Sequence, residues 1–313
     1  MPRHCSTLLF IFTTALVGAS IIYTPQAATA AAAPGKNQNY QDFSAWYVDT
    51  YQLKALPFRA AAVIDADTLT PLYFHQEATV MPTASLMKLL TVSALLSYPH
   101  DWYSRASLSA AENEDLLRPY VGPKDVFSLL KLEPDDTITL EQALAATLIG
   151  SANNTAVALD KFIGVAREQF IERMKQVAQQ WGLKNTTVDE PSGLSLANTS
   201  TAYDLTQAAC QDFQDFVVSF YAASSQVKFT TGQGVVKTIL HTVHDLRQNQ
   251  ERYFGAKTGY LDETMFHLAA GYITPQGHRV CLTILSSPTR AESENTARAL
   301  GVWVDQMYHW RQE

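Results

Sequence analysis

The spacing of apolar positions changes period twice along the chain. Over residues 59–66 nearly every position is apolar or β-favouring, Asp67-Thr68 makes a turn, and residues 72–74 answer as the partner strand of a hairpin. From residue 85 the period becomes helical, with Leu86, Leu89, Leu90 and Leu96 on one face beside the small Ser93. The same period predicts helices over residues 139–148, 154–162, 168–181 and 201–223, with Thr137, Thr139 and Ser200 as candidate caps. After Arg252 strands return over residues 253–258, 266–273 and 279–285, and a closing helix is predicted from about residue 292 to 310. Strands from both ends of a chain with helices between them predict one α+β unit. It is an antiparallel sheet flanked by helices, with an inserted all-helical lobe over roughly residues 98–230. A cleft between two such lobes is where a ligand site is expected.

The N-terminal segment follows a different rule. Arg3 and His4 precede an apolar run over residues 8–22, and the small residues 27–33 offer several A-x-A cleavage positions. Residues 1–33 therefore read as an export signal, too short in its apolar part for a membrane span. The polar linker and aromatic segment at 34–57 (Tyr40, Phe43, Trp46, Tyr47, Tyr51) is expected to pack on the domain at 58–313. Export places the mature chain beyond the membrane it crosses, with no stable membrane anchor expected once the signal is removed. Cys5 goes with the signal, leaving Cys210 and Cys281. Two cysteines in an exported protein can pair, but Cys281 sits among Val280, Leu282 and Ile284, a setting that favours a buried free thiol.

Composition narrows the classes of partner. The 313 residues are 47% hydrophobic and 17% charged, enough for a filled core, and the net charge of −7 counts against nucleic acid and anionic lipid. The eight histidines form no H-x-x-x-H or H-E-x-x-H string; His241 and His244 come nearest to a metal pair, so neither a metal nor a cofactor is expected. No G-x-S-x-G elbow is present.

Three short strings carry the candidate chemistry: Ser85-Leu86-Met87-Lys88, Ser151-Ala152-Asn153 and Lys257-Thr258-Gly259. Each alone is weak, since a serine at a helix start is commonly a cap and a helix lysine is commonly solvated. The chain even contains copies: Ser128 to Lys131 and Ser225 to Lys228 also spell S-x-x-K, and Ser293-Glu294-Asn295 spells S-x-N. Context separates them. Ser85 opens a predicted helix, so Lys88 lies one turn on with its amine in reach of the hydroxyl. Pro134 would break a helix begun at Ser128, Ser225 follows Ser151, and Ser293 follows the K-T-G string. Order and helix context together select Ser85.

These strings, in this order, resemble the penicillin-recognising serine DD-peptidases, and among them the low-molecular-mass D-alanyl-D-alanine carboxypeptidases and endopeptidases. The resemblance runs from about residue 60 to 286 and includes Ala62-Val63-Ile64-Asp65-Ala66, Pro191-Ser192-Gly193-Leu194 and Ser200-Thr201-Ala202-Tyr203-Asp204-Leu205. It departs at Met87, where threonine is usual, at Asn154, where aspartate is usual, and at residues 262–266, which replace a smaller turn. What it implies is a β-lactamase/DD-peptidase-like fold and an acyl-enzyme hydrolase. Ser85 would be the nucleophile and Lys88, neutral through burial and a nearby Lys257, its base. Ser151 would pass a proton to the leaving amine, and Asn153 would hold the substrate amide. Lys257, Thr258 and Gly259 would receive the substrate's carboxylate and backbone, and the backbone N–H groups of Ser85 and Tyr260 would form the oxyanion hole. The implied partners are peptidoglycan stem peptides and, covalently, β-lactams. A class A-like β-lactamase would need a deacylating carboxylate, for which Glu190 is a poor stand-in, and an inactive wall-binding protein would not need the intact set. Only 56 residues follow Lys257, which favours the short endopeptidase type over the carboxypeptidases that carry a further domain.

Overall fold

A computed structural model describes residues 56–108, 117–122 and 127–307; the segment read as an export signal, the aromatic segment and the predicted end of the closing helix lie outside the described residues. In chain order the strands are β1 (Ala60–Asp65), β2 (Pro71–His75), β3 (Met81–Pro82), β4 (Arg105–Ser107), β5 (Thr137–Thr139), β6 (Thr199–Ser200), β7 (Gln226–Thr230), β8 (Val236–Leu240), β9 (Tyr253–Leu261), β10 (Met265–Ile273) and β11 (Arg279–Ser287). The α-helices used below are α1 (Met87–Leu96), α2 (Leu140–Ile149), α3 (Asn153–Phe162), α4 (Arg167–Gln180), α5 (Ala202–Asp212), α6 (Phe216–Ala222), α7 (His244–Gln248) and α8 (Arg290–Met307).

The main sheet has the order β2-β1-β11-β10-β9, so strands from both ends of the chain meet at the β1–β11 pair. All its pairings are antiparallel, with Ala62 opposite Thr283 and Lys257 opposite Ala269. Both faces are covered, which is why β1 reads as a continuous apolar run rather than an alternating one. Successive side chains still point to opposite faces. Ala60, Ala62 and Ile64 join the core shared with α1, α2 and α5, whereas Ala61 and Val63 pack with Leu300, Trp303 and Val304 of α8.

Between β3 and β9 the chain builds a second, mainly helical lobe. It is not purely helical as the sequence suggested: β4 pairs with β5, and β7 pairs with β8 in a hairpin. The hairpin's period-2 pattern was readable, but its residues alternate between exposed and half-buried, so no apolar run marks them. The long helix expected over residues 201–223 is two helices, because Asp215 accepts from Val217 N and Val218 N and starts α6 afresh. Thr139 and Gln142 form a reciprocal capping box at the start of α2.

The cysteines correct another expectation. Cys210 of α5 and Cys281 of β11 are joined in a disulfide, with Cα atoms 5.7 Å apart. The apolar setting of Cys281 reported its burial and said nothing of its partner. Because α5 packs directly on β1 and β11, a second buried sulfur arrives from a residue 71 positions away.

Candidate active site

The site lies where the edge strand β9 meets the turn before α1. Ala84 has φ +48°, and Ala84–Leu86 form a 3-10 turn before α1 begins at Met87. A non-glycine residue in the left-handed region costs on the order of 1 kcal/mol, so its surroundings must hold it. They do so by contact: a Cβ added at Gly193 (φ +84°) would lie 1.9 Å from Ala84 O, and one at Gly259 would lie 3.3 Å from Ser85 N. Thr83 N donates to Asn198 O at 2.9 Å just ahead of the turn. The residue at the cap position of α1 is Leu86, and Ser85 caps nothing. Its hydroxyl instead accepts from Lys88 Nζ at 2.8 Å.

Lys88 is fully buried and donates to three oxygens: Ser85 Oγ, Asn153 Oδ1 at 2.6 Å and Ser192 O at 2.5 Å. Burial pushes its pKa down to about 7, against the nearby Glu190 carboxylate, which pulls it up. Lys257, also fully buried, donates to Ser151 Oγ at 2.6 Å and to Thr258 O at 2.9 Å. Its pKa is held well below the usual lysine range by burial first, then by Lys88 and Arg290. The repulsion expected between the two ammonium groups is thus felt at Lys257, while burial is what neutralises Lys88.

Ser151 sits in the turn between α2 and α3 with φ +57°, and Asn153 opens α3. The structure therefore brings Ser85, Lys88, Ser151, Asn153 and Lys257 into one hydrogen-bonded group. Thr258 Oγ1 donates to Thr242 Oγ1 at 2.8 Å, and Gly259 lies against the turn that carries Ser85. The Tyr260 ring points outward, 41% exposed, with its hydroxyl on Asp262 and its ring 4.5 Å from Phe266. No hydroxyl or amine of the copies joins this group: the Ser128 hydroxyl donates to Gly150 O while its carbonyl accepts from Asn153 N, Lys228 is exposed on β7, and Ser293 donates to Arg290 O.

The supporting roles of several residues escaped the sequence reading, in which Glu190 is only a poor deacylating carboxylate and Asn154 only a departure from the family. Glu190, 2% exposed, accepts from Ser192 N at 2.5 Å, Leu194 N at 2.7 Å, Ser195 N at 3.2 Å and Asn198 Nδ2 at 2.9 Å. It shapes the loop that presents the Ser192 carbonyl to Lys88 and Gly193 to Ala84. The nearest signal was its place just before Pro191-Ser192-Gly193. His267 bridges Pro82 O at 3.1 Å through Nε2 and Ser286 N at 2.9 Å through Nδ1, tying β10 and β11 to the segment before Ser85. Burial lowers its pKa to about 4, so it is neutral there. Arg290, at the start of α8, lies close enough to Lys257 to depress its pKa, and its buried Nε has no hydrogen-bond partner among the described residues. Asn154, where aspartate is usual, both accepts from Leu130 N and donates to Leu130 O at 2.9 Å. An ionised aspartate could only accept. Among the described residues no group of three or more His, Cys, Asp or Glu side chains is placed to hold a metal ion.

Comparison with known proteins reaches the same place. The D-alanyl-D-alanine carboxypeptidase family (peptidase family S11) matches residues 48–289. The chain belongs to this family. Curated relatives carry two names. A D-alanyl-D-alanine carboxypeptidase, DacF of Bacillus subtilis, is 26% identical over 68% of this chain and 53% of its own length. A D-alanyl-D-alanine endopeptidase of Haemophilus influenzae is 27% identical over 62% of this chain and 63% of its own length. The matched region thus spans between about half and two thirds of these two relatives. Among solved structures, the Streptomyces K15 DD-transpeptidase superposes with a TM-score of 0.71 over 79% of this chain and 97% of its own, at 23% identity, so the family fold is shared.

Proposed function

We propose that this family member is an exported serine DD-peptidase of peptidoglycan that works through an acyl-enzyme at Ser85, with cross-links between stems as its preferred substrate. The observation that carries the reading is the contact between the buried amine of Lys88 and the hydroxyl of Ser85. A lysine acts as a base only when neutral, and burial has already brought Lys88 to that condition near neutral pH.

In this reading the Lys88 amine takes the Ser85 proton as Oγ attacks the carbonyl carbon of the penultimate D-alanine. The oxyanion that forms is met by the backbone N–H groups of Ser85 and Tyr260, on the turn and strand that Gly259 allows to touch. The proton that Lys88 has taken up passes through Ser151, which is hydrogen-bonded to Lys257, to the leaving amine, so that Lys88 is neutral again for the attack of water. Arg290 supplies positive charge, and Lys257 Nζ and Thr258 Oγ1 supply hydrogen-bond donors, for the carboxylate on the leaving side. Asn153 holds the substrate amide while also fixing Lys88. Water then hydrolyses the ester at Ser85. Glu190 is committed to three backbone N–H groups and Asn198, which leaves it poorly placed to activate that water and favours a long-lived penicillin adduct over β-lactamase turnover.

The test is digestion of purified wall by the wild type and by Ser85→Ala. Loss of cross-linked dimers, absent with the variant, supports the endopeptidase reading. Release of terminal D-alanine from monomers with dimers intact would instead make the enzyme a carboxypeptidase. Failure of Ser85 to take up fluorescent penicillin would remove the acyl-enzyme altogether.

A further inference from the structure

A groove of about 370 Å³ has Gly150 and Ala152, the two chain neighbours of Ser151, in its lining. One wall is residues 128–131 and the other is residues 237–240 of β8. The first wall is fixed to the catalytic loop itself. Asn153 N donates to Ser128 O at 2.8 Å, Ser128 Oγ donates to Gly150 O at 2.7 Å, and the Asn154 amide pairs with both backbone groups of Leu130. The second wall ends at Leu240, two residues before Thr242, the hydrogen-bond partner of Thr258. The two sides of the groove are thus tied, by hydrogen bonds or by chain continuity, to the segments that carry Ser151, Asn153 and Thr242.

We propose that this groove is a leaving-side subsite that takes the second, carboxylate-bearing stem peptide of a cross-link. The inference rests on the DD-peptidase reading and deepens it, because a carboxypeptidase expels a single D-alanine and has nothing to place there. Two features fit the occupant. The volume lies at the small end of the range of small-molecule ligand sites, enough for the first residues of such a stem. In a chain of net charge −7, the groove presents Lys131 and Lys237, and neither ammonium is hydrogen-bonded or ion-paired among the described residues. Lys237 has Asp136 within electrostatic reach, which softens its charge without removing it. Leu129 and Leu240, 39% and 51% exposed, provide apolar contact for the peptide between the charges.

The experiment compares the full-length wild type with the double variant Lys131→Glu/Lys237→Glu and the milder Lys131→Gln/Lys237→Gln. Three reactions are followed: cleavage of a synthetic cross-linked stem-peptide dimer, D-alanine release from a monomeric stem ending in D-Ala-D-Ala, and acylation by fluorescent penicillin. Reversing two partly solvated charges is expected to lower kcat/KM on the dimer roughly ten-fold, mostly through KM, with the Gln pair in between. Monomer cleavage and penicillin acylation, which do not fill the groove, should stay within about two-fold and show that the fold is intact. Equal dimer cleavage by all three proteins, or a parallel fall on dimer and monomer, overturns the subsite while leaving the DD-peptidase reading in place. A wild type that trims the monomer but never cuts the dimer overturns the endopeptidase choice together with the subsite. Loss of penicillin acylation in the wild type itself is the distinct result that removes the DD-peptidase reading.

Discussion

The sharpest consequence of the site is the pH dependence of acylation. Only neutral Lys88 can take the Ser85 proton. With a pKa of about 7, half of it is neutral at pH 7 and roughly a tenth at pH 6. A lysine at its ordinary value of 10.5 would be neutral at pH 7 in only about three molecules in ten thousand, so burial raises the competent fraction by roughly a thousand-fold. The equivalent free energy, about 5 kcal/mol at 1.36 kcal/mol per unit, is the cost of keeping the ammonium form out of water. The second-order rate of labelling by fluorescent penicillin should therefore rise about ten-fold from pH 6 to pH 8, with a midpoint near 7. Because the two amines interact, the midpoint belongs to the pair. Lys88→Gln can still hydrogen-bond to Ser85 but cannot take a proton; it should label at least about a hundred-fold more slowly and lose the acid limb. A rate flat between pH 5 and 8, or an acid limb surviving in Lys88→Gln, would refute the assignment of Lys88 as base.

Other expectations can be checked with the same protein. Gly193→Ala puts a Cβ 1.9 Å from Ala84 O at a φ of +84°, so the nucleophile turn must shift. Penicillin labelling should drop about a hundred-fold with the circular dichroism spectrum preserved, and normal labelling would show that the loop does not position the turn. Replacing both Cys210 and Cys281 by alanine opens a 71-residue loop; denaturant titration should reveal a loss of up to about 4 kcal/mol, and an unchanged midpoint would deny the bridge a stabilising role. His267 and His241 are buried with pKa values lowered to about 4 and about 3. The unfolded chain protonates these two side chains below pH 6.5 while the native state does not, so their contribution to stability should be full above pH 6.5 and be lost toward pH 4, by a few kcal/mol in total. Thermal melts in His267→Gln should decline less over that window; an identical slope would remove His267 from the account.

The strands at both ends were legible because their apolar runs are long and their burial is two-sided. The five polar groups of the site were legible because three short strings occur in one order with one of them opening a helix. Ser85 itself illustrates the limit: periodicity placed it at a helix start but could not tell that Leu86 holds the cap position and that the serine hydroxyl is left free for Lys88. Glu190, His267 and Asn154 act through backbone groups that sequence spacing does not reveal, as in the Asn154 pair with Leu130, 24 residues away. The disulfide was hidden for the same reason, since an apolar strand pattern reports depth and not neighbours.

Lys88 and Lys257, both without solvent exposure, have one further consequence. A pocket that keeps two amines dry works against the fold that contains it. Apolar side chains of similar length at these positions would give a sturdier and inert protein, as happens when buried charges are replaced elsewhere. Selection for stability alone would erase this pocket. Its presence therefore marks a chain kept for its chemistry, and tolerance of further damage elsewhere in the fold should be smaller than in a relative that has abandoned catalysis.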